Sequence, residues 1–222
     1  IRKNVVSRAK ELGYTPTSRS AARASFDLAV NSPQVAGSTP ASLTILRGHQ
    51  FTTIYDGTSF TFITLDNQTI KPVVGAFKFS SLKIYQGKLT TDVYRYNSQV
   101  ANQRFPMLNT NIDTSTIKVN ITSNEAVTNW SKAGDLTNVT STSNVFYLQE
   151  NEDGLFEVYF GDGIAGKKPS DGNIIILKYV VTNGSSADGA SAFTPASTVG
   201  GYSNVSVLAT ANASGGGDTE TV

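Results

Sequence analysis

The stretch FGDGIAGKKPSDG, residues 160–172, approaches a phosphate-binding signature: Gly161, four residues, Gly166 and then Lys167. A phosphate loop cradles its ligand on backbone amides, places a hydroxyl residue after the lysine to hold Mg²⁺, and opens a helix whose first amides face the anion. Here Lys168 and Pro169 follow instead, SDG reads as a turn, and NIIILKYVVT reads as a strand with Ile175, Leu177, Tyr179 and Val181 on one apolar face. The strand before the loop matches it, with Phe156, Val158 and Phe160 expected inward and Glu157 and Tyr159 outward. A structural hairpin loop accounts for more of the residues than a nucleotide site does. Gly161, Gly163, Gly166 and Gly172 permit positive φ, Pro169 stiffens the chain, and Asp162 and Asp171 can accept nearby backbone amides. The two aspartates are also hard oxygen ligands, which keeps calcium open as an intermediate reading, although the alternating acidic ladder of an EF-hand is missing.

Carboxylates offer a second chemistry. Glu150, Glu152, Asp153 and Glu157 cluster in LQENEDGLFEVY, and a pair of acids at a suitable separation can hydrolyse a glycosidic bond. NEDG nevertheless reads as a hairpin turn, where exposed acids are ordinary. Cysteine is absent, which removes disulfides, thiolate catalysis and cysteine-ligated metals. The single histidine, His49, has no acid beside it in RGHQF and reads as a plain hydrogen-bonding group. No catalytic, metal or cofactor set is assembled from these residues, and the chain is expected not to be an enzyme and to need no cofactor.

The elements that hold these residues are mainly short strands. One or two short helices are expected first: IRKNVVSRAKEL sets Ile1, Val5, Ala9 and Leu12 on one stripe before Gly13 and Pro16, and SRSAARA at Ser18–Ala24 is helix-tolerant. Beyond Ser25 the segments are rich in Thr, Val, Ile, Phe and Tyr and are punctuated by turn residues, which predicts antiparallel β structure. The fold class is therefore mainly β, α+β overall. The expected organisation is a helical lead at 1–24, a first β-rich unit at 25–108, a second at 109–208 carrying the glycine-rich loop, and a flexible junction at 209–222. NTNIDTS at 109–115 supplies the break between the β units, and residues 129–144 are expected to form a long surface loop anchored by Trp130.

Net charge is +1 with 16% charged residues, so no overall field recruits nucleic acid or an anionic membrane. The basic lead, Arg2, Lys3, Arg8 and Lys10, reads as a solvated face or a protein contact, since it lacks the interleaved aromatics that stack on bases. No apolar run is long enough to span a membrane. The first residue is Ile and the last stretch, ANASGGGDTETV, ends where a helix could start, so the sequence is expected to be a piece of a longer chain.

Five stretches, in order, resemble one family. They are IRKNVVSRAKELGYTPTSRSAA with its L-G-Y-x-P turn, LRGHQFTT, QRFPMLNTNIDTSTIKVNI, the loop and strand YFGDGIAGKKPSDGNIIILKYVVTNGSSADGA, and the boundary ASGGGDTETV. Together they look like the J-like baseplate wedge proteins of contractile-tailed phages, in particular the T-even-type inner wedge subunits, across essentially the whole chain. The resemblance implies a structural subunit that forms the inner baseplate ring through contacts with other wedge proteins and with a second copy of itself, and that transmits rearrangement when the sheath contracts. It implies a place in the virion tail, assembly in the host cytoplasm, and a scaffold role for the glycine loop. It also implies that the family's C-terminal region lies beyond this stretch. Two other readings remain: a glycan-binding or adhesin-type module using Tyr55, Tyr85, Tyr94 or Tyr96, and a glycoside hydrolase using two of Glu125, Glu150, Glu152, Asp153 and Glu157.

Overall fold

Alternation of apolar and polar residues in RASFDLAVN makes the first strand of the computed structural model, which describes residues 17–31, 39–134 and 138–220. In β1 (Arg23–Asn31), Phe26, Leu28 and Val30 point to one side and are fully buried or nearly so. The same logic, with Gly and Asx turns between strands, repeats along the chain and yields two compact units. Among the described residues, one unit takes in 19–89 and 181–218, and the other 17–18, 90–180 and 219–220.

The unit that starts with β1 also holds β2 (Leu43–Ile45), β3 (Gln50–Tyr55), β4 (Thr58–Ile63), β5 (Gln68–Ile70), β6 (Ala76–Gln86), β14 (Thr194–Pro195) and β15 (Val205–Thr210). Its main sheet has the order β14-β3-β4-β6-β1-β15, and β2 pairs with β5 as a separate ribbon. The core is aromatic. Phe26 meets Phe51 edge-on at 5.1 Å and stacks on Phe193 at 5.8 Å, while Phe193 meets Phe62 edge-on at 4.8 Å. β3 and β4 are joined by a two-residue turn in which Asp56 (φ 47°) and Gly57 (φ 70°) are both left-handed, the conformation that matches strand twist and favours Asn or Asp followed by Gly.

The second unit is a seven-stranded sheet. It consists of β7 (Lys88–Arg95), β8 (Phe105–Pro106), β9 (Ile112–Ser123), β10 (Ala126–Lys132), β11 (Val145–Glu150), β12 (Phe156–Phe160) and β13 (Ile174–Val181), in the order β7-β13-β9-β10-β11-β12-β8. β10 and β11 run parallel at Ser131–Val145, whereas β9–β10, β11–β12 and β12–β8 are antiparallel. The sheet curls until its edge strands are tied by side chains: the Tyr94 hydroxyl donates to the Pro106 carbonyl, and the Leu108 amide donates to Asp92 at 3.3 Å. The buried Tyr179 hydroxyl donates to the same Asp92 carboxylate at 2.6 Å. Burial, followed by the Asp92 contact, pushes Tyr179 above the ordinary tyrosine range, so it stays a neutral donor.

Several expectations change. The helix expected at residues 1–12 lies outside the described residues, as do Arg2, Lys3, Arg8 and Lys10. Ser18–Ala24 is not helical. Ser20 pairs with Gly217 and Arg23 with Ser214 in antiparallel bridges, because partners far along the chain satisfy amides that a seven-residue helix would have satisfied locally. Residues 209–222 were expected to be a flexible junction, yet Ser214 and Gly217 donate to the Arg23 and Ser20 carbonyls at 3.0 Å. Glycine there serves close approach, since a Cβ on Gly216 would stand 2.4 Å from the Gly184 carbonyl oxygen. The division between units falls near residues 89/90 and 180/181, not at 108/109, and the polar NTNIDTS runs straight into β9. β10 includes Trp130, at the start of the stretch expected to form a long surface loop.

Phe26→Ala should lower unfolding free energy by about 3–5 kcal/mol, since it removes a ring held between two others and leaves a cavity. Chemical denaturation of the purified chain would check this, with a loss below 1 kcal/mol contradicting the packing described.

Candidate functional site

The glycine loop joins β12 to β13, so the two ends of one polar, turn-rich stretch are fixed by strands of the same sheet. The backbone amides of residues 163–167 are already occupied. Asp162 Oδ1 accepts from Ile164 N at 2.9 Å and Ala165 N at 3.1 Å, and Gly163 N donates to Gly166 O at 3.0 Å. Gly166 N donates to Thr140 O at 3.2 Å and Lys167 N to Ser143 O at 2.9 Å. An anion would find its place taken by Asp162 and by carbonyls of residues 140–143. No helix follows, because β13 starts at Ile174. These bonds, first from Ile164 and then from Ala165, hold the Asp162 carboxyl below the usual carboxylate range.

Two of the glycines are required by space. A Cβ on Gly161 would sit 2.2 Å from Ala165 O and 2.3 Å from Gly166 O, and one on Gly166, which is left-handed at φ 91°, would sit 2.9 Å from Val145. Pro169 is buried. The second half of the loop is tied to the chain after β7: Gly172 N donates to Tyr96 O at 2.9 Å, Tyr96 N to Asn173 O at 2.8 Å, and Ser98 N to Asp171 Oδ1 at 2.8 Å. The Ser98 contacts hold Asp171 below its ordinary range as well. Gly161, Asp162, Gly163, Gly166, Pro169, Asp171 and Gly172 thus sit in one bonded framework. The two aspartates serve separate backbone segments, and no three His, Asp or Glu side chains gather as a cation site among the described residues.

Beside the loop lies an open groove of about 590 Å³, walled by Tyr147, Tyr159, Phe160, Arg104, Asp162 and Lys168 among others. Its aromatic faces are largely spoken for. Tyr147 stacks on Tyr159 at 5.1 Å, the Arg104 guanidinium lies 3.8 Å from the Tyr159 ring centre, and the Tyr147 hydroxyl donates to Ala165 O at 3.1 Å. A second cleft of about 510 Å³ lies between β9 and β10. Trp130 is buried there, edge-on to Phe160 at 5.1 Å, so its expected anchoring role is fulfilled from within a strand.

The acidic cluster does not converge. In the β11–β12 register Glu157 faces Gln149 and Glu150 faces Phe156, which places the two glutamates on opposite faces of the sheet. Glu157, expected to be outward, is covered: Gln149 Nε2 donates to it and Arg104 Nε lies 4.0 Å away. Glu152 and Asp153 occupy the NEDG turn, and Glu125 sits in the β9–β10 turn. The four tyrosines of the glycan reading are likewise committed to packing or dispersed. Within the unit that starts with β1, Tyr85 lies under Arg23 and Tyr55 abuts Gly189; within the seven-stranded unit, Tyr94 and Tyr96 pack on Phe105. His49 packs edge-on to Phe51 at 5.2 Å, and its buried Nε2 has no hydrogen-bond partner, contrary to the expected role. Burial pushes its pKa down.

Residues 91–182 match the family model of bacteriophage baseplate wedge protein gp6, third domain. The match coincides closely with the compact stretch 90–180. Over a 247-residue alignment the chain is 28% identical to baseplate wedge protein gp6 of Enterobacteria phage T4, with all of this chain and 36% of that protein covered. The chain is similar throughout to a T4-type baseplate wedge protein. It spans about a third of that relative's length. The glycine loop lies within the matched stretch and precedes its last strand, β13, after which the chain passes to the other unit at residue 181.

Gly161→Ala should destabilise the chain by about 1–3 kcal/mol, because a backbone carbonyl cannot move aside as a side chain could; equilibrium unfolding would measure it, and a neutral result would contradict the close approach. The Asp162 carboxyl, followed by NMR, should titrate below the range of an unstructured aspartate. Its contribution is therefore present above the unfolded pKa and is lost as pH falls through the lower folded value. Asp162→Ala should speed hydrogen exchange at the amides of Ile164 and Ala165.

Proposed function

We propose that this chain is part of a structural, non-enzymatic subunit of a contractile-tail baseplate wedge. The observation that carries the reading is the match of residues 91–182 to the gp6 third-domain family, set within similarity to a T4 wedge protein along the full chain. The site chemistry supports it. The one loop that approaches a phosphate cradle spends its amides on its own carboxylate and on neighbouring carbonyls, and the nearby glutamates Glu150 and Glu157 face apart. On this reading the glycine loop is scaffold. It locks β12 to β13 and to the segments at 96–98 and 140–143, giving a rigid block suited to bearing load.

The finer picture belongs to the same proposal. The subunit contributes to the inner baseplate ring, contacts other wedge proteins and a second copy of itself, and passes on rearrangement during sheath contraction. It resides in the tail of the virion after assembly in the host cytoplasm, with no small-molecule substrate or cofactor. The basic residues Arg2, Lys3, Arg8 and Lys10 are candidates for one of its protein contacts. Interfaces of this kind need area with a few apolar anchors and a polar rim, not a deep pocket.

Mass spectrometry of purified tails should find the full-length protein at a fixed ratio to other wedge proteins, and deleting its gene should leave tails without baseplates. Normal tails in the deletion strain would overturn the reading.

A further inference from the structure

The chain passes from β5 to β6 through KPVVGA, and the tight turn there is built against the usual rule. Val73 N donates to Ala76 O at 2.8 Å and Ala76 N to Val73 O at 3.1 Å, so Val74 and Gly75 are the two central residues. Both are left-handed, at φ 49° and 75°. This is the turn geometry of Asp56-Gly57, where the chain uses the short polar residue that such a position prefers, and the β9–β10 turn starts with Asn124 in the same conformation. Val74 is the β-branched exception among the described left-handed residues, and in that conformation its branched side chain crowds the backbone. Another left-handed residue, Ser81, is compensated, since its amide donates to Asp27 Oδ1 at 2.9 Å.

Val74 gains nothing from the fold in return. It is fully exposed (101%), Val73 beside it is 71% exposed, and no atom stands within 4 Å of where a Cβ on Gly75 would be. A strained residue that buries none of its side chain in the fold points to a demand outside the chain's own packing. The shape is convex and apolar. The only charge in residues 68–76 is the exposed Lys71, whereas Lys78 further on is held by Asp27 at 3.3 Å.

We propose that the Val73–Val74 tip is an apolar knob that docks into a concave apolar socket, with an acidic rim facing Lys71, on a neighbouring protein subunit of the tail. The inference rests on the baseplate reading and names one contact within it. The convex form calls for a concave partner, and the lone cation calls for an acidic border.

The test is Val74→Asn in the full-length protein, made in the phage that encodes it, with Val74→Ile as the apolar control. The Asn variant creates the favoured Asn-Gly turn. Its melting temperature should rise by about 2–4 °C, while its content in purified tails, measured by mass spectrometry, falls at least ten-fold. The Ile variant should enter tails like the wild type. A more stable Asn variant that still enters tails at the wild-type level overturns the knob, as does an Asn variant that melts lower. Wild-type protein absent from tails overturns the baseplate reading and the knob with it. Loss of self-association by the Asn variant in sedimentation, or loss of its binding to anionic phospholipid vesicles, would assign the tip to a second copy or to lipid and overturn the partner named here.

Discussion

Backbone packed directly on backbone, at points where one methyl group would not fit, is the constraint on which both units depend. At Gly161 the carbonyls of Ala165 and Gly166 come within 2.3 Å of the position a Cβ would take, and at Gly216 the Gly184 carbonyl comes within 2.4 Å. Such contacts are open only to glycine. They let polar chain fold on itself tightly enough that its amides find carbonyls and carboxylates instead of water or a ligand. The amides of residues 163–167 are accordingly all bonded within the chain.

The same economy of hydrogen bonds closes the seven-stranded sheet. Its edge strands do not form a ladder with each other. Asp92 instead accepts from Tyr179 and from the Leu108 amide, and Tyr94 reaches the Pro106 carbonyl. Side chains therefore do at the seam what main chain does elsewhere, which protects two edges that would otherwise pair with other chains. Val74, in the other unit, is apolar and exposed at a turn closed by the single Val73–Ala76 bridge.

Similarity to a T4-type wedge protein and the internal geometry bear on function from independent directions. The family match covers residues 91–182, nearly the same stretch that forms one compact unit, while the other unit is assembled from chain on both sides of it. In chain order the matched stretch interrupts the other unit, and the described chain passes between the two units four times, at 18/19, 89/90, 180/181 and 218/219. The glycine loop joins the last two strands of the matched domain, and β13 then carries the chain from the loop to the crossing at 180/181.

The sequence by itself determined that the chain is mainly β, where most strands lie, and that the loop at 160–172 turns between two of them. Those features are local: alternating apolar residues, β-branched content and Gly-Asx turns act over a few neighbours. Trp130 as a buried anchor was legible for the same reason, since a lone large aromatic in polar chain has few other uses. The strand around Trp130 was not legible, because AVTNWSK is exposed except at Trp130 and carries little alternation. Only the tertiary structure decided where the units divide, that residues 214–217 pair with 20–23, and that Glu150 and Glu157 face apart. Each depends on partners far along the chain, and a glycine that permits flexibility looks the same in sequence as one that permits close approach.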